Sequence, residues 1–149
     1  MQTIGISGAE WQVMRIVWTL KKCTSRQLIK ILNRQHQWRA STVKTLLMRL
    51  RKKKILNGKL VKNRYVYSAN VDEQQAANDA TLALFKNICP MHAGRAINSL
   101  LKQIVISRGD VQTLIRTLRD QEPNAPRRVK CNCLSLDSQK EVNCRENER

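Results

Sequence analysis

Two groups of side chains in this sequence have the types and spacing to do chemistry. The first is Cys131-Asn132-Cys133 with Cys144 beyond it, in a polar stretch with little apolar periodicity. Thiols one residue apart can direct two thiolates at one soft ion, and thiolate-rich sites suit Cu(I) and Zn(II). Such a stretch gives cysteine no packing role, so Cys131 and Cys133 read as metal-binding or redox residues, with Cys144 as a third candidate ligand. Two arrangements fit: two chains pooling Cys131 and Cys133 at one shared site, or each tail acting alone and using Cys144. Cys89-Pro90-Met91-His92 also gathers soft donors, but around a helix break that pattern reads as packing, as does Cys23 at a helix junction. The second group lies in Trp38 to Lys54, WRASTVKTLLMRLRKKK. On a helix, Ser41, Lys44, Thr45, Met48 and Lys52 share one side, which bears hydroxyls and cations and no carboxylate. Arg49, Arg51, Lys53 and Lys54 add positive charge toward its end. That face suits a DNA groove, and its plain alternative is a solvated surface. Catalysis has little to work with, because His36 and His92 are the only histidines and no nucleophile–base motif occurs.

These groups need elements to hold them. Val43, Leu46, Leu47 and Leu50 recur at helical spacing, so the helix from Ser41 to Lys54 has an apolar stripe opposite its cationic face. Ahead of it, Ser7 and Glu10 have the capping-box spacing that starts a helix, and Thr24 and Gln27 repeat it. The first helix is apolar over most of its circumference (Trp11, Val13, Met14, Ile16, Val17, Trp18), which predicts burial by more than one neighbour. After the third helix, Asn57-Gly58 carries a turn signal, and Leu60-Val61 and Tyr65-Val66-Tyr67 are β-prone segments separated by Lys62-Asn63-Arg64. Three helices and a basic hairpin make a winged helix, expected over residues 4–71. The region 72–122 reads as three helices: one capped by Asp72 and running to about Cys89, one over about Met91 to Ile104, and one from Ser107 with a Val111, Leu114, Ile115, Leu118 stripe. They are too few and short for a core of their own, so a second copy of the chain is the economical partner, with packing back on the winged helix as the alternative. Residues 123–149 read as a flexible tail. The fold class is therefore mainly α.

Charge sorts the possible partners. The chain carries a formal +17, and residues 1–70 hold 16 Lys or Arg against the single acid Glu10. Residues 71–122 hold six of each sign. Basicity confined to one half is the footprint of a polyanion-binding module beside a neutral one. No apolar run approaches the roughly 20 residues of a membrane span, and no secretion pattern opens the chain, so a cytoplasmic location is expected. Five cysteines, an odd number, then favour thiols or metal ligands over a disulfide framework. A sequence-specific repressor, a general nucleic-acid binder and a thiol-based metal sensor all stay open on these grounds.

ISGAEWQVMRIVWTL, STVKTLLMRLRKKKIL, the wing ending in YVYSA, LFKNIC and the terminal CNC together resemble CopY-type copper-responsive repressors of the BlaI/MecI winged-helix family. The resemblance spans about residues 4 to 133. It implies a homodimer on a double-stranded DNA operator, with groove contacts from Ser41, Thr42, Lys44, Thr45 and Arg49 and wing contacts from Lys62 and Arg64. It also implies a tail in which zinc favours DNA binding and Cu(I) displaces it and releases DNA. The family tail has two Cys-x-Cys pairs. Here Cys131 and Cys133 match the first, and the second is reduced to Cys144. A repressor of the same family with no copper response is the alternative.

Overall fold

A computed structural model describes residues 5–134. Its first helix, α1 (Gly8–Leu20), starts because Ser7 Oγ accepts the Glu10 amide at 3.3 Å while Glu10 Oε2 accepts the Ser7 amide at 2.8 Å. Each bond satisfies an amide that the helix itself leaves orphaned. A two-residue strand, β1 (Cys23–Thr24), leads into α2 (Ser25–His36), which Thr24 and Gln27 cap in the same way. Gln37 then takes a left-handed conformation, φ 57°, and ends the helix. Three residues separate α2 from α3 (Ala40–Lys52). Asn33 Nδ2 donates to the Trp38 carbonyl at 3.1 Å across this turn, and the His36 and Trp38 rings stack at 5.0 Å. The turn is thus braced from both sides.

The wing has its tip at the expected Lys62-Asn63-Arg64 spacer, but its first strand starts earlier than the Asn57-Gly58 turn signal suggests. β2 (Leu56–Val61) and β3 (Arg64–Ala69) pair antiparallel from Leu56↔Ala69 to Val61↔Arg64, so Asn57-Gly58 is strand and the turn is Lys62-Asn63. Both turn residues have positive φ, 45° and 60°, as a tight two-residue hairpin with right-twisted strands demands. Gly58 serves close approach instead of turning. It pairs with Tyr67, and a Cβ there would meet the Tyr67 ring at 3.1 Å. β1 joins the other edge of β3, Cys23 opposite Tyr67, giving a three-stranded sheet in the order β1-β3-β2.

The core lies where α1, α2, α3 and this sheet meet. All four stripe residues of α3, Val43, Leu46, Leu47 and Leu50, are at most 5% exposed. Each such leucine contributes about 1.5–3 kcal/mol by leaving water. Val13, Met14 and Val17 of α1 are fully buried against α3 and the sheet, as its broad apolar surface requires. The Trp18 indole N–H donates to the Val71 carbonyl at 3.0 Å, which ties the chain leaving β3 to α1. Cys23 is buried here as a packing residue, and burial pushes its thiol up to about 11.

The chain divides into two compact units, residues 1–83 and 84–149, with the division inside α4 (Glu73–Lys86). In the first unit, Asp72 Oδ2 accepts the Gln75 amide at 3.0 Å and Ala76 is buried in the core. The second unit holds α5 (Pro90–Leu101) and α6 (Arg108–Gln121), the latter opened by a Ser107/Asp110 capping box. A short 3-10 turn, Glu122–Asn124, follows. No residue of α5 or α6 is buried, and Ile97, Leu100, Leu114, Ile115 and Leu118 are exposed. Among the described residues no helix is long and apolar enough to cross a membrane.

Candidate nucleic-acid interface and thiol cluster

With the stripe of α3 buried, its other side is left to solvent: Ser41, Thr42, Lys44, Thr45, Met48 and Arg49 are all exposed, Met48 at 72%. The Thr45 hydroxyl donates to the Ser41 carbonyl at 3.0 Å, so toward a base it offers an acceptor oxygen and a methyl group. Arg39 at the N-cap makes no side-chain hydrogen bond to the helix, which leaves first-turn amides as donors for an anion. Lys62 is at the hairpin turn and Arg64 opens β3, both exposed. Among the described residues no carboxylate lies within ion-pair distance of Lys44, Arg49, Lys62 or Arg64.

A cleft beside the wing adds groups absent from the sequence-based set. It is lined by Ser25, Arg26, Ile29 and Lys30 of α2 and by Asn63 and Arg64 of the wing. Arg26 and Lys30, four residues apart on an exposed helical edge, were the available signal. Arg51 sits over the Tyr65 ring at 5.3 Å and so connects α3 to the wing. Lys53 is used differently. Its Nζ donates to Glu10 Oε2 and to the Gly5 carbonyl, each at 2.6 Å. Burial raises the Glu10 pKa, but the Lys53 ammonium and the Ser7 amide outweigh it and hold the carboxyl below its ordinary range. Glu10 is 1% exposed, so the sole acid of residues 1–71 is withdrawn from the surface.

The second unit brings thiols together. Cys89, the N-cap of α5, and Cys131 are half-buried, Cys133 is exposed, and the three sulfurs lie within 4.8 Å of one another. The Cys133 amide donates to Cys131 Sγ at 3.4 Å. Hydrogen bonding with Cys131 and then Cys89, with a smaller contribution from desolvation, pushes the Cys133 thiol up to about 12. Metal–sulfur bonds of about 2.3 Å place sulfurs roughly 3.7–4 Å apart, so this donor set fits a soft cation after a small contraction. Cys89 was expected to serve packing and is instead part of the cluster. Cys144, the third ligand expected from the sequence, lies outside the described residues.

The sequence matches the penicillinase repressor family over residues 6–120. It is 39% identical over 138 residues to a protein described as an uncharacterized 16.5 kDa protein in the ptsI 3′ region of Latilactobacillus sakei, covering 91% of this chain and 94% of that one. To the methicillin resistance regulatory protein MecI of Mammaliicoccus sciuri it is 30% identical over 119 residues, 80% of this chain and 94% of the relative. The solution structure of the DNA-binding domain of the repressor BlaI shares 35% identity at a TM-score of 0.46, covering 48% of this chain and 88% of that one. With its three-helix and hairpin unit and a match over most of its length, the chain belongs to the penicillinase repressor family, whose members are repressors and not enzymes.

Proposed function

We propose that this protein is a dimeric transcriptional repressor that binds a two-fold DNA operator and is released from it by Cu(I) at its cysteines. The observation that carries the DNA reading is the exposed, carboxylate-free face of α3 in a unit that buries its only acid of residues 1–71. In this reading α3 enters the major groove, where Lys44 and Arg49 donate to base edges or phosphates and Ser41, Thr42 and Thr45 supply shorter contacts. Lys62 and Arg64 on the wing, with Arg26 and Lys30 beside it, neutralise the flanking phosphates. The dimer reading rests on the exposed apolar stripes of α5 and α6, which a second copy would cover. Copper is supported by the three-sulfur cluster, whose thiolates would coordinate a soft Cu(I) ion.

The test is a titration of operator DNA and random DNA at fixed salt, with and without Cu(I) under reducing conditions. A repressor gives a specificity ratio of roughly a thousandfold or more. A ratio near one makes the protein a general nucleic-acid binder. A second reading has its own support: the family match ends at residue 120, before Cys131 and Cys133. In that reading the protein is a repressor relieved by a signal other than copper, and Cu(I) leaves the operator titration unchanged.

A further inference from the structure

The cysteine that completes the cluster comes from the cap of a helix and not from the tail. Cys89 caps α5 directly before Pro90, and residues 125–134 bring Cys131 and Cys133 up to it. We propose that Cys89, Cys131 and Cys133 of one chain form a three-thiolate Cu(I) site, with Cys89 as the ligand that anchors the tail to the start of α5. The proposal deepens the copper reading above and rests on it.

Three arguments favour this set. Its sulfurs already lie within 4.8 Å of one another, whereas any use of Cys144 must close a further loop from Cys133 at an entropic cost. Among the described residues no fourth His, Cys, Asp or Glu joins the group, and Cu(I) accepts three sulfurs where structural zinc takes four ligands. Pro90 fixes the φ of the first helical residue and removes a backbone donor there, so the Cys89 ligand stands on a stiff helix start. Coordination forms three copper–sulfur bonds, releases the thiol protons to solvent and leaves copper as Cu(I), so no oxidant is required. A site that joins α5 to the tail gives metal a hold on the helical unit that a tail-only site lacks.

The experiment is a Cu(I) titration of the full chain under reducing conditions, competed against a Cu(I) chelator and read by thiolate-to-copper absorbance. Cys89→Ser should weaken binding at least as much as loss of an outer partner does, roughly 10- to 100-fold. Cys144→Ser should cost less than Cys89→Ser. Far-UV circular dichroism checks that each variant is folded, and a measurement on the unaltered protein makes the result independent of any variant. Alkylation of the wild type with iodoacetamide, mapped by mass spectrometry, should show Cu(I) protecting Cys89 together with Cys131 and Cys133. If Cu(I) binds and releases operator while Cys89 is alkylated at its metal-free rate, the assignment of Cys89 is overturned and the copper reading stands. A wild type that takes up no Cu(I) overturns both.

Discussion

Glu10 shows how one residue can serve the fold and the function together. It occupies the third helical position of α1, where its carboxylate completes the capping box, and its burial against Lys53 removes the only negative charge of residues 1–71 from the DNA-facing unit. The local half of this was legible in the sequence, because Ser7 and Glu10 are three residues apart. The Lys53 half was not, since 43 residues separate the pair and Lys53 sits in a run of like cations. Lys53→Met leaves a buried carboxylate without its counter-charge. It should cost about 2 kcal/mol at neutral pH, below the 3–5 kcal/mol of a fully buried pair because the Lys53 side chain is 36% exposed. The folded pKa of Glu10 lies below its unfolded value of about 4.3, so its stabilisation is fully present above that pH and is lost as pH falls through the folded pKa. Glu10→Gln should therefore flatten the acid limb of the stability curve, measured by urea unfolding between pH 2 and pH 6 on the order of that range. On the outer face of α3, Lys44→Ala and Arg49→Ala should each weaken operator binding, with any base contact worth about 1–3 kcal/mol of discrimination, and leave the unfolding midpoint nearly unchanged. Wild-type titration curves for both variants would remove α3 from the interface.

At the scale of elements, the helices were legible because their signals are local and redundant. The stripe Val43, Leu46, Leu47, Leu50 and the Ser107/Asp110 box each fix a helix without help from distant residues. The hairpin and its basic Lys62-Asn63-Arg64 tip were legible, but the extension of its first strand back to Leu56 was not. Asn57-Gly58 is the stronger turn dipeptide by local preference, yet Gly58 pairs with Tyr67 at close approach within the strand, and Lys62-Asn63 makes the turn in the left-handed region instead. β1 was invisible for a related reason: two residues have no periodicity, and only the edge of β3 makes them a strand. The clustering of Cys89 was not legible in the sequence because its partners lie more than 40 residues away. The turn yields a prediction with two opposite signs. Lys62 at φ 45° pays the steric cost of a left-handed residue, about 1–2 kcal/mol, at a wing tip where its charge faces solvent. Lys62→Gly relieves that strain, though added freedom in the unfolded chain offsets part of it, so the unfolding free energy should rise by about 0.5–1 kcal/mol. Operator affinity should fall, and the slope of log affinity against log salt should become shallower by about one counterion. If stability and affinity fall together, the wing residue is structural and its phosphate contact is withdrawn.

At the scale of the molecule, the two units differ in how their apolar surface is handled. The first buries its stripes internally, whereas the second leaves Ile97 and Leu100 of α5 and Leu114, Ile115 and Leu118 of α6 in contact with water. Each of these leucines is 38–59% exposed and so forgoes part of the about 1.5–3 kcal/mol that full burial gives, and α6 is exposed to solvent along its whole length. In the proposed dimer, a second copy related by two-fold symmetry would cover this surface on both chains at once, and the same symmetry would present two α3 helices to two half-sites. Leu114→Asp tests the connection, because a carboxylate costs little on an exposed monomeric helix and much in an apolar interface. The wild type should sediment as a dimer at micromolar concentration and protect two inverted half-sites about one helical turn or a small multiple apart. The Leu114→Asp chain should sediment as a monomer with unchanged helicity, and its operator affinity should fall toward that for a single half-site. A variant that stays dimeric moves the interface away from α6, and a wild type that is monomeric removes the dimer from the proposed function. A monomeric variant that still protects both half-sites with full affinity shows instead that DNA, and not the helical unit, pairs the two chains.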